Sequence, residues 1–258
     1  MLRPGDYSAI AVSVEERIAV LTLNRPDAEN RVDDRMHSEL AEVFAAVRRD
    51  KEILAVVLTG AGEVFCAGGD GGPDRRFGTF TGLTPIEEAQ AIVDGVLALD
   101  QPLVAAVNGD AIGLGAILAT LADAAFAVPG ARIGDRHVAG GVTAGNGSAA
   151  LWPLLVGLNR TKQLLFGAEL IDAAVAAEAG LITAVADDPL TAARDQAAAW
   201  AAMPAYALQT TKRALNQHLR AAVANVMPLA LALEEQSLAR LDPRFRPWAG
   251  EDEGGAAR

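Results

Sequence analysis

The chain has 258 residues, 51% hydrophobic and 21% charged, enough to bury a core in one large or two modest domains. A formal net charge of −11 argues against a nucleic-acid partner, because holding phosphates needs a basic footprint. The single cysteine, Cys66, excludes an internal disulfide and fits a reducing cytoplasm, and neither a signal-peptide run nor a membrane-spanning stretch is read.

Ser8–Val14 and Arg17–Leu23 are predicted as two strands joined by a turn at Glu15-Glu16. Asp33 or Asp34 then caps a helix whose Met36, Leu40, Val43, Phe44 and Val47 recur at helical spacing. Ile53–Thr59 is a continuous apolar strand running into Gly60–Gly72, a glycine-rich loop. Pro85 opens a helix to about Leu99. Leu103–Val107 lacks alternation and suits a strand covered on both faces. Asn108-Gly109 turns the chain, and an apolar helix starts on Gly113 and Gly115. The free amides at that helix start make an anion site suited to a carbonyl oxygen that becomes negative during reaction.

Ala124–Val128 is a short strand, and 131–147 is too rich in glycine for regular structure. Ser148 is placed as the cap of a helix through Leu155. Short helices at Thr161–Phe166 and Asp172–Ala179 and a strand at Leu181–Val185 follow. From Pro189 the pattern is helical to about Leu241, with Pro204 and Pro228 dividing it into three helices. The last is apolar on more than one side, as for packing on a second subunit. Residues 249–258 read as a disordered tail, 1–200 as the core and 201–248 as a helical oligomerisation region. Alternating strands and helices with a helical end give an α/β fold.

The candidate chemistry is narrow. Gly113-x-Gly115 and Gly60-x-Gly62 each lack the third glycine of a dinucleotide fingerprint, and no Gly-Lys-Ser/Thr exists for a P-loop. The histidines are too far apart in sequence for a metal site. Cys66 reads as a small residue before a tight turn. His37 reads as a packed side chain at a helix edge, and His218 as solvated. His137 stands apart, in a glycine-rich loop beside Asp135, Arg136 and Asn146. Asn146 could orient the imidazole, bind substrate, or be a left-handed turn residue between two glycines.

Five stretches resemble the crotonase superfamily, the enoyl-CoA hydratase/isomerase group. They are Leu23–Pro26, Leu58–Asp70, Ala106–Gly115, Gly167–Ala174 and Ala179–Ile182. The resemblance implies a crotonase-like spiral of ββα units with a C-terminal helical region, assembled as a homotrimer or dimer of trimers. It also implies an acyl-CoA thioester, with coenzyme A as part of the substrate and no separate cofactor. By position, the backbone amides of Gly69 and Leu114 would hold the thioester oxygen. Arg25, Ala28, Ala67, Asp70 and Gly71 would lie along the coenzyme A segments.

The family's hydratases use two glutamates, and at those positions this chain has Ile117 and His137. The loop Asp135–Gly147 with Trp152-Pro-Leu resembles instead a subgroup of crotonase-fold β-diketone hydrolases typified by oxocamphor hydrolase. There His137 would be the acid/base, Asn146 would take the place of its aspartate partner, and His37 would match a further site histidine. Three functions therefore stand as expectations. The first is an acyl-CoA enzyme of the hydratase/isomerase type with His137 as acid/base. The others are a coenzyme A-independent diketone hydrolase and a catalytically weak acyl-CoA-binding protein.

Overall fold

The computed structural model describes residues 2–3, 5–70 and 78–241. Gly71 and the expected tail at 249–258 lie outside the described residues.

The chain opens with an antiparallel hairpin of β1 (Ile10–Glu15) and β2 (Ile18–Leu23). Its turn is Glu16-Arg17, one residue later than expected, and both residues have positive φ. That is the handedness a two-residue hairpin turn needs. Helix α1 (Asp34–Arg49) follows, with the Asp33 carboxylate accepting the Met36 amide at 2.8 Å. Next come β3 (Ala55–Gly60) and α2 (Pro85–Ala98), the latter started by a reciprocal Thr84/Glu87 capping box. The chain continues through β4 (Leu103–Val107), β5 (Ala111–Ile112), α3 (Leu114–Leu121), β6 (Ala124–Ala127) and β7 (Arg132–Gly134). It ends with α4 (Ser148–Val156), α5 (Leu158–Gly167), β8 (Leu170–Asp172), α6 (Ala173–Ala179), β9 (Ala184–Val185), α7 (Pro189–Ala201) and α8 (Ala205–Ala239).

Two sheets result. The larger has the order β1-β2-β3-β4-β6-β9, parallel from β2 onward. The smaller is β5-β7-β8, extended by single bridges between Cys66 and Ala111 and between Val32 and Gly69. Each turn of chain therefore gives a segment to both sheets and then a helix: β3, the 66–69 segment and α2, then β4, β5 and α3. This is the spiral of ββα units that the family resemblance implies. The apolar runs are explained by covering on both faces. In β4, Leu103, Ala105 and Val107 enter the main core, while Val104 and Ala106 face Ala193 and Ala197 of α7.

Three expectations are corrected. The strands β5, β7 and β8 have two or three residues each, and β7 lies inside the loop read as irregular. Pro228 sits inside α8 and does not end it. A helix-interior proline costs roughly 3 kcal/mol. On either side of it Val223, Met227 and Leu231 are buried, and each such side chain returns about 1.5–3 kcal/mol. The continuous helix therefore wins. Ser148 is the first residue of α4 rather than its cap, a position taken by Gly147.

Candidate active site

A cavity of about 950 Å³ opens where the two glycine loops, the 135–147 loop and α8 meet. Ala67, Gly69, Leu114, His37, His137 and Asn146, all singled out from the sequence, line it. Glu234 of α8 lines it too, and sequence reading missed this residue.

The oxyanion candidates are set by backbone geometry. The parallel bridge joins the Val32 amide to the Gly68 carbonyl at 2.8 Å and the Asp70 amide to the Val32 carbonyl at 2.9 Å. The Gly69 amide therefore points to the opposite side of that strand. Leu114 is the first residue of α3, so its amide is one of the helix's unpaired N-terminal donors. Gly113 before it has φ +56°, and a Cβ there would lie 3.7 Å from both Gly68 Cα and His137 Cε1. The glycines thus bring two peptide segments and one imidazole together. Gly115 is equally constrained, since a Cβ on it would meet the Cys66 carbonyl oxygen at 2.6 Å. Cys66 is a packing residue under this turn, fully buried, and burial pushes its thiol up to about 11.

His137 is held at Nδ1 by Asp135. Asp135 Oδ1 lies 2.5 Å from His137 Nδ1 and also takes the His137 amide at 3.0 Å. Its other oxygen accepts the Ser148 hydroxyl at 2.5 Å. Burial opposes charge on both partners. Their mutual attraction and hydrogen bonds outweigh it, holding Asp135 below its ordinary value and lifting His137 to about 9, with a smaller push from Glu234. Asn146 reaches the same ring from the cavity side, its Nδ2 3.5 Å from His137 Nε2.

Glu234 Oε1 lies 3.9 Å from the same Nε2. Burial holds this carboxyl above its usual range, the Asp135 charge adds to that, and His137 and His37 pull the other way. Helix α8 comes this close because residue 145 is glycine. A Cβ there would sit 2.3 Å from Glu234 Oε2 and 2.7 Å from the Ala230 carbonyl. The Thr143 amide, bonded to Ser237 Oγ at 3.0 Å, fixes the same contact. A sequence signal existed: Val223, Met227, Leu231 and then Glu234 follow one buried stripe at helical spacing.

Other candidates fall elsewhere. His37 is not simply packed, since its Nδ1 lies 2.7 Å from Glu88 Oε2. His218 is exposed, as read. Arg25 pairs with Asp33 at 3.2 Å and Asp70 at 2.9 Å, and the Ala28 amide bonds the Arg25 carbonyl; Arg25, Ala28 and Asp70 are not among the residues that line the cavity. Ile117 is fully buried in α3 and packs toward Gly147. Among the described residues no group of three or more histidine, cysteine or acidic side chains could hold a metal ion, and no helix is long and apolar enough to cross a membrane.

Residues 13–243 match the family model described as enoyl-CoA hydratase/isomerase. A probable enoyl-CoA hydratase of Mycobacterium tuberculosis, echA14, is 34% identical over 92% of this chain and 90% of its own length. A short-chain-enoyl-CoA hydratase of Clostridium acetobutylicum is 32% identical over 90% of this chain and 88% of its own. The crystal structure of an enoyl-CoA hydratase/isomerase from Mycobacterium paratuberculosis superposes with a TM-score of 0.85 at 36% identity, covering 93% of this chain and 97% of that one. With the spiral fold, the paired glycine loops and matches along nearly its whole length, the chain belongs to the enoyl-CoA hydratase/isomerase family.

Proposed function

We propose that this protein adds water to, or removes it from, an acyl-CoA thioester, using Gly69 and Leu114 amides, His137 and Glu234. The single observation that carries this reading is the Asp135–His137–Glu234 line beside the two glycine loops. The thioester oxygen rests on the two amides. Glu234, a stronger base than an ordinary carboxylate, takes a proton from water as the water oxygen bonds to the β carbon. The double-bond electrons move toward the thioester oxygen as an enolate. The His137 imidazolium then gives its Nε2 proton to the α carbon. One C–O and one C–H bond have formed, one O–H of water and the double bond's π bond have broken, and the proton on Glu234 returns to His137 across their 3.9 Å separation. Asp135 acts through His137 as a positioning residue, and Asn146 lies beside the transferred proton. Each amide donor is worth about 3 kcal/mol of enolate stabilisation. The route needs neither family glutamate, so Ile117 is no obstacle to it.

Hydration of crotonyl-CoA, followed as loss of the enoyl absorbance, tests the reading. The wild-type rate should exceed that of His137→Ala by a hundredfold or more, a typical acid/base contribution. A rate equal to that variant's sinks it.

A second reading keeps the same pair of groups. Water activated by Glu234 and His137 would attack a ketone carbonyl, cleaving a β-diketone in the manner of the subgroup the 135–147 loop resembles. It is favoured by His37 on the same cavity wall. Ring opening of a cyclic diketone with no effect of coenzyme A esters would select it. Binding of those esters without turnover of any would leave a weak acyl-CoA-binding protein. The exposed Leu215, Leu229 and Leu233 of α8 support a homotrimer or dimer of trimers, which light scattering would size. A cytoplasmic location goes with this reading.

A further inference from the structure

Ser148 carries a hydroxyl that neither the helix it opens nor the reaction above accounts for. It is the first residue of α4, and the capping position before it is Gly147, so the side chain caps nothing. It is fully buried, and its Oγ donates to Asp135 Oδ2 at 2.5 Å, 13 positions back in the chain. The other oxygen of that carboxylate takes the His137 amide at 3.0 Å and lies 2.5 Å from His137 Nδ1. The two oxygens therefore have separate duties: Oδ1 grips the histidine, and Oδ2 is tied to α4. The backbone is shaped for that tie. Gly147 has φ +135°, where L side chains rarely go, and a Cβ on it would meet Ile117 Cγ2 at 3.0 Å.

Filling space in the core does not explain this bond. The buried hydroxyls of Thr120 in α3 and Thr161 in α5 bond the carbonyl four residues back, Ala116 at 2.8 Å and Gly157 at 2.9 Å, as helix hydroxyls usually do. Ser148 reaches instead across the loop to a carboxylate that is itself buried. Without that donor Oδ2 is a costly buried charge, and the carboxyl takes up a proton or turns toward another donor. Either change loosens its hold on Nδ1 and with it the aim of Nε2. The charged groups near this carboxylate are His137 and, beyond the ring, Glu234 of α8, while α3 and α4 carry none. Arg132 of β7 is turned to Asp110.

We infer that Ser148 is a positioning residue: by holding Oδ2 of Asp135 it keeps that carboxylate in line with Nδ1 of His137, and so keeps Nε2 aimed at the reacting carbon. The inference rests on the hydration reading above and adds to it a residue that does not line the cavity.

Ser148→Ala, which removes the hydroxyl and little volume, tests it in the full chain, with melting temperatures as the check on folding. With crotonyl-CoA its kcat should fall about tenfold, the scale of one buried hydrogen bond, while KM stays within about twofold. The hydrogen-bonded Nδ1 proton of His137, followed by NMR from neutral to acid pH, should vanish roughly one pH unit higher in Ser148→Ala than in wild type. A carboxylate that has lost a donor takes up a proton more readily. Ser148→Thr, which keeps a hydroxyl, should restore part of both. A serine that only fills space would change the melting temperature and leave the titration in place. If Ser148→Ala does not fold, Ser148→Cys, with its weaker donor, carries the comparison. A kcat that falls with the titration unmoved, or a kcat that does not fall, overturns the inference alone. Should the wild type turn over no coenzyme A ester, the hydration reading falls, and the titration by itself decides on Ser148.

Discussion

Asp135 and His137 sit two residues apart on one loop and share a 2.5 Å contact at Nδ1, which turns Nε2 toward Glu234 of the last helix, 3.9 Å away. The imidazole joins two parts of the fold that are distant in sequence. Its acid strength is set from one side and its proton partner is supplied from the other.

Replacing Asp135 by asparagine should release the imidazole. The His137 ring, followed by proton NMR, should titrate well below the wild-type value of about 9, and turnover should fall a hundredfold or more. The raised histidine pKa also gives stability a sign. Its contribution is full below the ordinary histidine value of 6.5 and is lost as pH rises through about 9. The lowered Asp135 pKa means the same bond is also lost as pH falls through the acid range. Denaturant titrations of wild type should show a plateau between these limits and a decline above it, and Asp135→Asn should flatten that decline.

Glu234→Gln keeps the shape of the side chain and removes the base. Turnover should drop about a hundredfold to ten-thousandfold while coenzyme A ester binding stays within a few-fold. The pH dependence of kcat/KM in wild type should rise through the elevated Glu234 pKa and fall near the His137 value of about 9. The acid limb should vanish in Glu234→Gln; its persistence there would assign the base elsewhere.

Asn146→Asp should not improve the enzyme. Asp135 already orients the ring, so a carboxylate 3.5 Å from Nε2 is a third acid around one imidazole. It would strengthen the grip on the transferable proton and raise the Glu234 pKa by like charge. A fall in kcat is expected, and an increase would give Asn146 the orienting role after all.

The Leu114 amide can be removed at a site where proline fits. Leu114 is the first residue of α3, a position that lacks an intrahelical amide bond. Leu114→Pro should lose about 10²–10³ in kcat, and Leu114→Ala much less, with both still folded by circular dichroism. Gly115→Ala should do harm of another kind. Its Cβ meets the Cys66 carbonyl, so the start of α3 must shift, and both melting temperature and activity should fall.

Much of this arrangement was legible in the sequence. The Leu103–Val107 run gave its strand to the residue, and Asp33 and Pro85 marked helix starts, because those signals are local. The strands β5, β7 and β8 were not visible. With two or three residues each, they exist through pairing with neighbours far along the chain. Pro228 misled because core burial on either side of it outweighs one lost backbone bond. In the site, the loop histidine and the glycine turns stood out. Asp135 was underrated against Asn146, since nothing in a sequence says which neighbour reaches which ring nitrogen. Glu88 and Glu234 come from helices 49 positions before and 97 after His137, and only the packing of α2 and α8 brings them to the cavity.

The most direct test is the exchange of α-protons of hexanoyl-CoA for deuterium, read by mass spectrometry. Exchange needs a base over the α carbon and a held enolate oxygen, whichever reaction follows. The account predicts exchange by wild type, about 10²–10³ slower in Leu114→Pro and at background when His137→Ala and Glu234→Gln are combined. No exchange by wild type with any coenzyme A ester, or a wild-type rate in the combined variant, would contradict it.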